Sequence, residues 1–185
     1  MQRLTLLAVL VGLTCLFLLT IVPGCSTAPR TVGGRYDLER DAARTLSIAK
    51  RNDSSLSKFL TDARGYAVFP TVGKGAIGVG GAYGRGVLYE GGKIVGYCDL
   101  TQGTIGLQLG GQAYSQIIAF ETQDAVDIFK SGNFAFSAQA TAVALRSGAG
   151  ANAKYADGVA VFTMDEAGLM FEAALGGQKF SYEPK

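Results

Sequence analysis

Chemistry in a protein chain starts with side chains that move protons, hold metals or act as activated nucleophiles, and this chain has few of them. None of its 185 residues is a histidine. That excludes Ser-His-Asp and Cys-His nucleophile systems and every His-ligated metal site. The one adjacent acidic pair, Asp165-Glu166, stands just before Gly168 and fits a solvated hairpin better than a general acid/base pair. Gly73, Gly75 and Gly78 match GxGxxG. A dinucleotide site needs a helix immediately after that motif to meet the phosphates, and here strand-like alternation follows instead. There is no phosphate-binding GxxxxGK[ST] and no cluster of metal ligands, so no catalytic residue, cofactor or metal is expected. Lys plus Arg number 17 against 15 Asp plus Glu. That balance lacks the basic excess of a nucleic-acid surface. The remaining chemistry is charge recognition. Lys74, Arg85 and Lys93 lie in a stretch with few acidic neighbours, and residues 30–64 carry eight basic against five acidic side chains. Such cations either form an ordinary solvated surface or contact anionic lipid headgroups, at about 1 kcal/mol each near a charged membrane.

A second chemical feature is Cys25. Arg3 precedes an uncharged run from Leu4 to Val22, and Val22-Pro23-Gly24 leads directly into the cysteine. The arrangement resembles a bacterial lipoprotein signal, in which the cysteine is acylated and the preceding segment is removed. An uncleaved anchor helix is the alternative for so long an apolar run. The resemblance implies a signal over residues 1–24, lipid on the Cys25 sulfur, and an envelope location. Ser26 after the cysteine favours the periplasmic face of an outer membrane, if the cell has one. Each buried methylene contributes about 0.8 kcal/mol, so two or three acyl chains hold firmly where one holds marginally. Cys15 would leave with the signal, leaving Cys98 alone in the apolar run IVGYCDL, where a thiol behaves as a small hydrophobe.

The elements that must position these groups follow from periodicity. Residues 25–35 are small and polar, suited to a tether, and residues 36–185 form one domain. Tyr36 to Lys50 reads as a helix with Leu38, Ala42, Leu46 and Ala49 on one stripe. Asn52-Asp53-Ser54 breaks it, and Asp53 or Ser54 caps a shorter helix running to Arg64. Of 26 glycines, 15 fall between Gly65 and Gly111, alternating with larger residues at a strand period. The segment 77–84 reads as one strand with a nearly bare face. Glu90-Gly91-Gly92-Lys93 predicts a hairpin turn, and Thr101-Gln102-Gly103 another. Thr122 caps a further helix that ends at Gly132. Residues 134–145 alternate again, residues 146–158 read as a loop, and strands are expected at 159–164, 169–175 and 178–183. About nine strands after two helices predict an α+β fold, with a curved, mostly antiparallel sheet closing toward a barrel or sandwich and interrupted by one helix.

Several blocks in order resemble one known family. ARGYAVFPTVGKGAIGVGGAYGRGVLY (63–89), TQGTIGLQLGGQAYSQIIAF (101–120), ETQDAVDIFKSG (121–132) and DEAGLMFEAALGGQKFS (165–181) are similar to the SYLF domain. The resemblance covers most of residues 36–183. It implies binding of phosphoinositides and membranes in eukaryotic members, with actin binding in fungal ones, and exported lipoproteins among bacterial members; Lys74 matches the Lys of the family's Pro-x-x-x-Lys-Gly block. Actin is not expected as a partner of an exported chain. The expected function is therefore a non-catalytic, lipid-anchored envelope protein whose domain binds anionic phospholipid through Lys74, Arg85 and Lys93. The alternative is a structural module that pairs with another protein or with itself through its bare glycine faces.

Overall fold

The computed structural model describes residue 29 and residues 31–77, 79–105, 110–136, 142–165 and 177–185. Two helices come first, α1 (Val32–Asn52) and α2 (Ser55–Asp62). Four long strands follow: β1 (Gly65–Ile77), β2 (Val79–Glu90), β3 (Lys93–Ile105) and β4 (Gly110–Phe120). Then come α3 (Gln123–Lys130), β5 (Val143–Ala144), α4 (Ala149–Asn152), β6 (Val159–Asp165) and β7 (Gln178–Pro184). The strands form one sheet in the order β5-β6-β4-β1-β2-β3-β7. Every pairing is antiparallel except the short parallel one between β5 and β6. The α+β class and the curved, mostly antiparallel sheet expected from the sequence are both present, and the sheet is open, with β5 and β7 at its edges.

Local chemistry explains most boundaries. The Thr31 hydroxyl accepts a hydrogen bond from Gly34 N and starts α1, so the helix begins within the segment read as tether. Thr122 does the same for α3 through Ala125 N at 3.2 Å. The turn at Gly91-Gly92 places both residues at positive φ, +54° and +76°, as a two-residue hairpin of the right twist requires. Two expectations about strands and turns fail. Ile77 pairs with Val79, so the segment read as one strand from 77 to 84 is split by a hairpin between β1 and β2. Thr101-Gln102-Gly103 is no turn but lies inside β3, with Gln102 paired to Ala82 and Gln178. Alternation continues unbroken through the first point, and polar residues mimic a break at the second. Seven strands are present among the described residues; the expected strand at 169–175 and residues 137–141 of the alternating segment lie outside them.

The sheet buries both faces. On one, Ala42, Leu46 and Ala49 of α1 and Leu56 and Leu60 of α2 pack on Val68, Val87, Tyr97, Ile117 and Phe162. On the other, Val126 and Phe129 of α3 join Phe69, Leu88, Leu100, Ile118, Phe120 and Phe180. The second face is an interior, because the sheet coils. Four strand spacings separate β4 from β7, about 19 Å in a flat sheet. Yet Gln116 Nε2 of β4 donates to Gln178 Oε1 of β7 at 3.0 Å, and the reverse bond is 3.3 Å. Phe69 of β1 and Phe180 of β7 lie with ring centroids 5.9 Å apart. A register shift between Phe69 and Val72 bends β1, and the Ser115 hydroxyl donates to Pro70 O at 2.7 Å beside it.

One contact organises the segment read as a loop. Asp53, buried between α1 and α2, accepts from Ser55 N at 3.0 Å and the Ser55 hydroxyl at 2.6 Å. Its carboxylate also accepts from Gly148 N at 3.2 Å and Gly150 N at 2.5 Å, nearly a hundred residues on. Gly148 sits at φ +80°, and a Cβ on Gly150 would meet Leu56 N at 2.9 Å. The glycines of Arg146-Ser147-Gly148-Ala149-Gly150 thus let α4 lie directly on α2. Burial alone would raise the Asp53 pKa, but the four donors outweigh it and hold the carboxyl below its ordinary value.

Three outcomes are expected. Gly86→Ala would put a methyl 2.7 Å from the Phe69 ring and 2.8 Å from Val68 O, costing about 1–3 kcal/mol in urea unfolding. Gly73→Ala and Gly75→Ala, where a Cβ meets nothing within 4 Å, should leave stability unchanged or raise it by up to about 1 kcal/mol. Asp53→Asn should cost about 2 kcal/mol at pH 7. Because the folded pKa is lowered, this stabilisation is complete above the unfolded value, near pH 4, and is lost as pH falls through the folded pKa. Urea titrations of wild type and variant should therefore converge in acid.

Candidate functional site

The three cations singled out from the sequence do not converge. Lys74 pairs with Ala82 and Gln112 in the ladder, so it shares the interior face with buried Val72 and Ala82. Arg85 lies on the opposite face, exposed, with Nε donating to the Tyr83 hydroxyl at 2.9 Å. Lys93 pairs with Glu90 at the glycine hairpin. Six residues of β3 separate Lys93 from Asp99, the partner of Arg85, about 20 Å along the strand. Cys25 lies outside the described residues.

A different pair of cations shares a cavity. Beside β5 and α4 is a recess of about 510 Å³ lined by Arg146 and Lys154, with Ser147 and Asn152 as polar neighbours and Val143 and Ala149 among its apolar walls. Among the described residues no carboxylate lines it. Its volume suits a small ligand or a headgroup. The walls are fixed on three sides. Leu145 N donates to Thr163 O at 2.8 Å, which carries the β5–β6 pairing up to Arg146. Asn152 Nδ2 donates to Gly148 O at 2.8 Å and closes the turn of α4. Phe59 of α2 stacks on Tyr155 at 4.9 Å and meets Phe162 of β6 edge-on at 5.3 Å, seating the residue after Lys154. The carboxylate beneath, Asp53, spends its oxygens on Ser55, Gly148 and Gly150.

A second cavity, about 500 Å³, runs under α1 at the β1 bulge and has Asp41 beside Arg44 in its lining. The two charges oppose, so it offers no net field to an ion. Cys98 is buried and its thiol is pushed up by burial and by Asp99, which leaves it protonated and unreactive. Among the described residues no group of three or more His, Cys, Asp or Glu is placed to hold a metal ion. No helix among them is long and apolar enough to cross a membrane.

Sequence reasoning missed the Arg146–Lys154 pair because residues 146–158 read as a plain loop. The available signal was two cations separated by seven small, uncharged residues. What it could not supply was Asp53, whose local sequence matches a helix cap and whose decisive partners are Gly148 and Gly150.

Comparison with known proteins bears on the same region. Residues 101–184 match the family described as Ysc84, Las17-binding protein actin regulator. The chain is also similar to beta cell expansion factor A of Aeromonas veronii, 30% identical over 141 residues. That alignment covers 75% of this chain and 53% of the other protein, so the chain spans about half the length of this curated relative. The matched family segment runs from within β3 through β4, α3, β5, α4 and β6 to the end of β7. Through these residues the chain is similar to the Ysc84 family.

Proposed function

We propose that this is a non-catalytic, lipid-anchored protein of the bacterial cell envelope, held through Cys25, whose SYLF domain rests on anionic phospholipid. The observation that carries the reading is the Ysc84/SYLF match over residues 101–184. The signal-like run ending in Cys25 supports the anchor, and the basic excess of residues 30–64 supports an anionic surface. An exported chain does not meet actin, so the actin-regulating role in the family's description is not carried over.

A second reading has its own support. Gly73, Gly75 and Gly103 lie on the outward face of β1 and β3 with open space where a Cβ would be, and Tyr83 is exposed beside them. Such a bare face suits contact with another protein layer, a second copy included.

Co-sedimentation of the full chain with neutral phosphatidylcholine vesicles and with vesicles containing phosphatidylglycerol separates the two. An excess on the anionic vesicles at low salt is expected, shrinking as the screening length falls from about 30 Å at 0.01 M to about 3 Å at 1 M. Equal association with both vesicles at every salt concentration would overturn lipid recognition and favour the protein-contact reading. For the anchor, Cys25→Ser expressed in a bacterial host should abolish incorporation of a labelled fatty acid. Retained label in that variant would remove Cys25 from the proposal.

A further inference from the structure

The domain's recess beside β5 is not explained by packing, and its chemistry is one-sided. Arg146 and Lys154 line it, no carboxylate among the described residues does, and Ser147 and Asn152 add polar groups at its wall. Five other cations are matched locally, Arg35 with Glu183, Arg40 with Asp37 and Asp41, Lys58 with Asp62, Lys130 with Glu90 and Lys185 with Glu39. Two cations in one cavity without a counter-ion repel each other, and an anion bound between them relieves that repulsion. Arginine contributes a planar fork of donors that fits two oxygens of one tetrahedral anion, and lysine contributes a compact charge. The walls are short apolar side chains, Ala142, Val143, Ala144, Ala149 and Ala153. They leave room for a headgroup and lower the local dielectric around the anion.

The recess is also preorganised. The segment from Arg146 to Asn152 is pinned from below by the Asp53 carboxylate and from the side by the β5–β6 pairing. An anion entering it does not have to order the chain first, which preserves its binding energy. Arg146 follows directly from the β5 ladder, and Lys154 stands next to the stacked Tyr155.

We propose that this recess is a phosphate-recognition site, with Arg146 and Lys154 as the cation pair, that takes the phosphate of a lipid headgroup. The inference rests on the membrane reading above and names the residues that carry it. The phosphate could equally be presented free in solution, and the test separates the two sources.

The full chain, held in neutral detergent micelles, is titrated calorimetrically with dihexanoyl phosphatidylglycerol, with dihexanoyl phosphatidylcholine and with inorganic phosphate. Binding of the anionic lipid is expected, with Arg146→Ala and Lys154→Ala each weakening it about tenfold. Lys58→Ala, which alters an exposed cation on α2 far along the sequence, should leave it unchanged. Unfolding midpoints of the variants are recorded beside the wild type, and Arg146→Lys, which keeps the charge but not the fork, should restore only part of the affinity. Wild-type binding that survives both alanine variants would overturn the recess and leave the membrane reading standing. Failure of the wild type to distinguish the anionic lipid from phosphatidylcholine would overturn both. Inorganic phosphate binding as tightly as the lipid would assign the site to the free anion and overturn the headgroup assignment.

Discussion

The structure turns on bringing β7 across the interior to meet β1 and β4. In a flat sheet these strands stand far apart, yet the Gln116 and Gln178 side chains exchange two hydrogen bonds and Phe180 reaches the ring of Phe69. Both glutamines are fully buried, so their amides have to satisfy each other once water is gone. That demand fixes the approach of the two strands more tightly than apolar packing would, because a hydrogen bond has a narrow distance and angle. The coil it imposes needs small residues on the inner surface. Gly84, Gly86 and Gly96 occupy positions where a Cβ would strike Val72, Phe69 and Tyr182 respectively. The aromatic cluster of Phe69, Phe120, Phe129, Phe134, Phe136 and Phe180 fills the space so enclosed.

The glycines therefore do two different jobs that composition cannot distinguish. Those at 84, 86 and 96 face inward and permit close approach, whereas those at 73, 75 and 103 face outward over open space. A strand-period reading places glycines on alternate faces but does not say which face becomes the interior. That choice is made by the bulge after Phe69 and by β7, both decided through pairings distant in sequence. The hairpin at Gly91-Gly92 was legible because positive φ at two successive residues is a local requirement. The Thr122 cap was legible for the same reason, since its donor, Ala125 N, lies three residues away. The hairpin between Ile77 and Val79 was not, because the large-small alternation runs through it. The recess was illegible in kind: Asp53 has a good local role and a better remote one.

A second long-range tie joins the first helix to the last strand. Arg35 meets Glu183 at 2.6 Å and lies over the Tyr97 ring, while Glu39 accepts from the Tyr97 hydroxyl and from Lys185, each at 2.7 Å. Burial and the Glu39 carboxylate push the Tyr97 hydroxyl up to about 12, so it remains a donor through the physiological range. Burial works against the Glu39 carboxylate, but Lys185 and Tyr97 outweigh it and hold its pKa below the ordinary value. The start of α1 is thereby fastened to the end of β7. Helix begins at Val32, within the polar run of residues 25–35.

These ties also bear on how charge is used. The chain's net charge is only +2. So small a monopole provides little steering toward an anionic surface at physiological salt, where the screening length is about 8 Å. Three of the eight cations in residues 30–64 are also engaged: Arg35, Arg40 and Lys58 each hold a carboxylate. Recognition of an anion must then depend on where a few cations stand rather than on how many there are. Lys74, Arg85 and Lys93, divided between two faces and a distant hairpin, cannot act on one phosphate together. Arg146 and Lys154 line one cavity. For a nearly neutral protein, placing two cations in one fixed recess is the more effective way to recognise an anionic group.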